Sequence, residues 1–98
     1  MRIKNINGTK DNICNCGSWL DHWEKFSGQP LSYCAVSGCN NLAEVGAHVQ
    51  IDNPYNNNWY IVPLCQEHNK SKMILVISDS IVPVSANVSE TCGKKSTW

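Results

Sequence analysis

Four residues of this 98-residue chain have the types and the spacing to grip a metal ion: Cys34-x₄-Cys39 and, after an extended stretch, Cys65-x₂-His68. Thiolate and imidazole are the donors a tetrahedral Zn²⁺ takes, and a pair held in one local turn supplies two of its corners. Two such pairs complete a Cys₃His shell with no position open to substrate, so the chemistry expected of them is structural. Disulfides among the same cysteines would leave His68 without a reason to sit three residues after Cys65. A lone histidine, His48, lies between the pairs, and an imidazole near neutral pH can take a proton from water. Three cysteines remain at the two ends, Cys14, Cys16 and Cys92. They leave three readings open: a second metal site completed by His22 or His48, a disulfide from Cys14 or Cys16 to Cys92, or free buried thiols.

For the two pairs to meet, the chain between them must run out and return. Ala43, Val45, Ala47, Val49 and Ile51 alternate with Glu44, Gly46, His48 and Gln50, the period of a half-buried strand with His48 on its polar face. Residues 52–58 are dense in turn formers, and Trp59 to Leu64 is the return strand, with Pro63 marking an edge or the strand's end. Ser37, Gly38 and the flanking residues allow the tight turn of a zinc knuckle between Cys34 and Cys39. From Cys65 to Lys72 the residues suit a helix, on which Cys65 and His68 share one face. Knuckle, hairpin and helix in this order is the arrangement of a treble-clef zinc finger.

Upstream, Trp19, Leu20, Trp23 and Phe26 fall on one helical stripe, which predicts a short amphipathic helix over 18–26 with Ser18 as N-cap and Gly28 as the stop. His22 on this helix reads as a surface or half-buried histidine. Residues 1–16 show no periodicity and read as an arm held down by Cys14 and Cys16. Beyond the core, 73–77 and 81–84 read as a second hairpin or a bent edge strand, ahead of a polar tail anchored by Cys92. The expected organisation is one domain, 1–98: an arm (1–16), a helix and linker (17–32), a zinc core (33–72) and C-terminal strands and tail (73–98).

Eight Lys plus Arg balance eight Asp plus Glu, so the chain lacks the basic footprint of a high-affinity nucleic-acid binder, and any such binding is local or weak. A core of this length is marginal. Structural zinc, at roughly 10–16 kcal/mol in small zinc peptides, would exceed the few kcal/mol by which small domains are stable. Met1 to Ile13 has no apolar stretch of the kind a signal peptide needs, and the run from Met73 to Ile77 is too short to span a bilayer. A cytoplasmic location without membrane contact is therefore expected. Were the chain exported, its six cysteines would read as three disulfides.

The run Gly46-Ala47-His48-Val49, a variable turn, and Tyr60-Ile61-Val62-Pro63-Leu64-Cys65-Gln66-Glu67-His68-Asn69, with the cysteine pair upstream, resembles the zinc-bearing HNH endonuclease family over about residues 33–72. The resemblance implies a small α+β domain with a treble-clef, ββα-metal-like core. It also implies His48 as general base and Asn69, in the place of the family's last histidine, as a holder of Mg²⁺ or Mn²⁺ at a phosphate. Three places depart from the family pattern. Ala47 stands where an aspartate often binds the catalytic cation, Tyr60 where an asparagine orients the base, and Asn69 where a histidine is usual. The leading expectation is thus a zinc-stabilised HNH-like module, catalytically weak or inert, that binds DNA or RNA through Trp59, Tyr55, Lys70 and Lys72. The alternatives are an HNH-type metal-dependent endonuclease using His48 and, below it, a disulfide-stapled exported domain.

Overall fold

The structure, a computed structural model, describes residues 1–6 and 17–87. Its centre is an antiparallel hairpin of β2 (Val45–Ile51) and β3 (Trp59–Leu64), in register from Val45 opposite Leu64 to Gln50 opposite Trp59. The turn between them is built from asparagine. The Asn53 side-chain oxygen accepts from the Tyr55 N–H at 2.9 Å, and that of Asn56 accepts from the Asn58 N–H at 3.0 Å, so both asparagines satisfy backbone donors that a sheet would otherwise pair.

Around this hairpin the strands order as β4-β1-β2-β3-β5, with β1 (Arg2–Asn5), β4 (Leu75–Val76) and β5 (Val84–Ser85) all antiparallel to their neighbours. Two expectations change here. The first residues of the presumed arm form β1, inserted between β4 and β2 with Ile3 fully buried. The segments after residue 72 do not pair with each other: β4 joins one edge through β1 and β5 the other through β3. The connection between them is tied down on its way, the Ser78 N–H donating to the Ala35 carbonyl at 2.9 Å and the Val82 N–H to the Gln29 side-chain oxygen at 2.9 Å. Pro63 belongs to an inner strand but stands at its end, one residue before Leu64, and β5 pairs only with Tyr60 and Ile61, so the missing N–H of Pro63 falls where no strand asks for it.

Both faces of the hairpin are covered. Ala47, Val49, Val62 and Leu64 pack with Ile3, Cys34, Cys65, Leu75 and Ile77 in the larger core. On the other face Ile61 packs with Trp23 and Val84, under α1 (Trp19–Ser27). The helix has the caps its sequence announces. Ser18 Oγ accepts from the Asp21 N–H at 3.0 Å, and Gly28, at φ +71°, ends it with its N–H on the Glu24 carbonyl at 3.2 Å. Trp23 Nε1 donates to the Val82 carbonyl at 2.7 Å, which pins the helix to the chain entering β5. Among the described residues no helix is long and apolar enough to cross a membrane.

The first turn of α1 lies directly on Gly46. A Cβ there would overlap the Trp19 carbonyl group and the Leu20 nitrogen, both backbone atoms that cannot swing aside. Gly46→Ala is therefore expected to destabilise the protein by about 1–3 kcal/mol through overpacking. Gly28→Ala, which meets nothing nearby, should cost less, through its positive φ alone. Denaturant titrations of the two variants against the parent check the order.

Candidate metal centre

Cys34 and Cys39 sit on a tight turn closed by the Cys39 N–H on the Val36 carbonyl at 3.0 Å, with Gly38 at φ +79°. The turn is fastened to the sheet: the Ala35 N–H donates to the Pro63 carbonyl at 2.8 Å, and the Cys34 N–H to the Asn41 carbonyl at 2.8 Å. Cys65 follows β3 directly and is the N-cap of α2 (Gln66–Asn69), which places His68 one turn on. Four residues are too few for a helix to persist alone. This one is anchored by Asn5 of β1, whose side-chain amide donates to the His68 and Ser71 carbonyls, each at 3.0 Å.

These supports bring Cys34, Cys39, Cys65 and His68 together, with one ligand atom from each lying within 4.8 Å of all the others. His68 Nδ1 is 3.5 Å from Cys34 Sγ and 3.3 Å from Cys65 Sγ. A tetrahedral ion with metal–sulfur bonds of about 2.3 Å and metal–nitrogen bonds of about 2.0–2.1 Å requires a sulfur-to-nitrogen edge of about 3.6 Å. The edges from His68 to Cys34 and Cys65 thus lie within a few tenths of an ångström of what an ion requires. Cys34 and Cys65 are buried, and Cys39 and His68 half-buried.

The two buried thiols are not equivalent. Burial pushes Cys34 up to about 11, against the pull of backbone hydrogen bonds from Val36 and Cys65. Burial acts upward on Cys65 as well, but hydrogen bonds from the His68 backbone, the Asn41 amide (Nδ2 to Sγ 3.8 Å), Cys34 and His68 together bring it down to about 7. A metal needs thiolates. Of these two, Cys65 is the more readily ionised.

His48 lies elsewhere. Ala47 and Val49 face the metal side, so His48, with Gly46, faces α1. The expected polar face of β2 is thus roofed by a helix. The His48 ring meets the Trp19 ring at a centroid distance of 4.5 Å and the Trp59 ring, nearly perpendicular to it, at 6.3 Å. It is 8% exposed, and its Nε2 is buried with no hydrogen-bond partner. His22, expected at or near the surface, is fully buried beside Trp19, with Nε2 2.9 Å from the Ser85 carbonyl oxygen. Asn69 is on α2, whose end is fastened to Asn5; Asn5 pairs with Val49 on the metal side. The sheet therefore stands between His48 and Asn69, and the fold does not bring them together. Asn56 of the turn reaches back to Tyr60, with Nδ2 3.1 Å from its hydroxyl. Cys14, Cys16 and Cys92 lie outside the described residues.

Sequence reasoning missed the Trp19–His22–His48 cluster and the role of Asn5. Gly46 was the available sign of the first: a glycine inside a strand marks a close approach on its own face, which His48 shares. Nothing local marks Asn5. Comparison of the chain with family models, curated proteins and solved structures finds no match among any of them.

Burial lowers the His48 pKa below the ordinary 6.5, and the neighbouring His22 imidazole lowers it further. The unfolded chain then takes up a proton near pH 6.5 that the folded chain refuses. The contribution of His48 is full above pH 6.5 and is lost as pH falls toward the lower folded value. The slope is at most about 1.4 kcal/mol per pH unit for one proton. Denaturant titrations between pH 7.5 and pH 5 should show a shallower loss for His48→Phe than for the parent. Equal slopes would assign the acid sensitivity to other groups.

Proposed function

We propose that this chain is a zinc-stabilised module of the treble-clef kind, without hydrolytic activity of its own, that binds nucleic acid. The observation carrying the proposal is the convergence of three thiols and the His68 Nδ1 within 4.8 Å. Sulfur and imidazole donors select zinc over the hard cations, and four protein ligands leave no vertex for water or substrate, which makes the zinc structural. The succession of cysteine turn, β-hairpin and helix carrying the second ligand pair supports the treble-clef assignment.

The placement of His48 favours inertness. A hydrolytic His48 would need a hard cation beside it, held by oxygen ligands. Its surroundings are instead Trp19, Trp59 and His22, and Ala47 points to the opposite face. Exposed aromatic rings and lysines support the nucleic-acid partner. Tyr55 is 95% exposed and Trp59 39%, and Lys4, Lys70 and Lys72 all reach solvent. Rings of this kind stack on bases and lysines meet phosphates.

Protein purified without added metal should contain one zinc bound by these four ligands, and a strong chelator should unfold the larger core. Retention of near-ultraviolet circular dichroism after complete zinc removal would contradict the structural role. Plasmid incubated with the protein in Mg²⁺ or Mn²⁺ should remain intact. Nicking that disappears in His48→Ala would establish an endonuclease instead. Short labelled oligonucleotides at low salt should bind, and absence of binding to every DNA and RNA probe would remove the partner from the proposal.

A further inference from the structure

Three side chains from three neighbouring strands stand in one row: Lys4 pairs with Gln50, and Gln50 with Trp59. Directly paired residues point to the same face. Here it is the α1 face, because Gln50 shares it with Gly46 and His48. The helix roofs the His48 end of that face and leaves the row accessible, with Lys4 exposed, Gln50 half-buried and Trp59 39% exposed. Lys4 makes no ion pair among the described residues, and Asp52, which lines the same hollow as Lys4, is engaged by Arg2 at 3.5 Å. The open face thus offers an unneutralised cation, a carboxamide and an indole in line.

Two hollows adjoin the row and share Asn57. The first, of about 270 Å³, is lined by Asn57, Asn58, Trp59, Ser85, Ala86 and Asn87, with no charged side chain. The second, of about 240 Å³, includes Lys4, Gln50, Asp52 and Asn56 in its lining. The walls are held in place. The Trp59 carbonyl accepts from the Ala86 N–H at 2.9 Å, and Gln50 Nε2 donates to the Asn57 carbonyl at 3.3 Å.

We propose that this row is the nucleic-acid surface and that it takes a single strand. An unstacked base lies on the Trp59 indole in the uncharged hollow, the carboxamides of Asn57 and Asn58 meet its edge, and Lys4 meets a neighbouring phosphate. A duplex hides the base faces that an indole needs, whereas a single strand presents them. Two strand spacings put the Lys4 and Trp59 backbones about 10 Å apart, a gap the lysine side chain narrows to the scale of one nucleotide. Lys70 and Lys72, which follow α2 on the metal side of the sheet, cannot join Trp59 in one contact. The inference rests on the nucleic-acid reading above and narrows it to one surface and one strand state.

Fluorescence anisotropy of labelled oligothymidylate and oligouridylate, titrated with the full chain at low salt, tests it. Trp59→Ala should weaken binding roughly ten-fold or more, and Trp59→Phe, which keeps a ring, should retain most of the affinity. Lys4→Ala should weaken binding and reduce the slope of log affinity on log salt by about 0.7. A duplex should bind at least ten-fold more weakly than the single strand. Unchanged binding by Trp59→Ala and Lys4→Ala, or a preference for duplex, would overturn this surface while leaving the nucleic-acid reading standing. A parent protein that binds no oligonucleotide would overturn both. Thermal melts of each variant separate lost affinity from lost fold.

Discussion

Strand β2 is covered on both faces, and that constraint organises the rest of the molecule. Alternate side chains of a strand point to opposite sides, so a strand between two layers must supply each from every second residue. Ala47 and Val49 serve the core that contains Cys34 and Cys65, while Gly46 and His48 serve α1. Gly46 exists to admit a helix backbone, and His48 is drawn under the same roof. The sheet becomes a partition: groups one residue apart in sequence belong to different chemical environments.

On one side of that partition the structure is held by a small number of contacts from far apart in the chain. The four-residue α2 has no independent strength, and its position depends on Cys65, on His68 and on Asn5 reaching across from β1. A metal ion at the Cys₃His group would replace several weak constraints with one strong one, since two ligands belong to the turn near β4 and two to the passage from β3 into α2. The other side needs no such ion. There Trp23 is 1% exposed, packs with Ile61 and Val84, and gives its indole N–H to Val82. Burial of an aromatic side chain with its polar atom satisfied is a source of stability in its own right.

The features legible in the sequence were those with local signals. Ser18 and Gly28 announced both ends of α1, the asparagine-rich stretch announced the hairpin turn, and the two ligand pairs announced their own convergence. Strand β1 was hidden because Arg2–Asn5 contains one buried residue, Ile3, too few for a period to emerge. The edge positions of β4 and β5 were hidden because two-residue strands are defined by their partners, not by themselves. The polarity of Gly46, His48 and Gln50 misled most. A polar face was read as a solvent face, yet glycine makes room for a helix and an imidazole offers an aromatic ring to pack against Trp19.

The length of α1 decides how the second face of the sheet is divided. Nine helical residues at 1.5 Å each span about 14 Å, whereas five strands about 4.8 Å apart extend about 19 Å across. A helix that ends at Gly28 cannot roof the whole face, and its docking on Gly46 and Ile61 commits it to the β3–β5 side of the end distant from the hairpin turn. What remains open is the region toward the turn and toward β1. Trp59 stands on the boundary, its indole roughly perpendicular to the buried His48 ring and part of its surface in solvent. A ring fixed on one side by packing and free on the other loses little conformational entropy on meeting a flat ligand, which makes the boundary, not the centre of either region, the place best prepared for recognition.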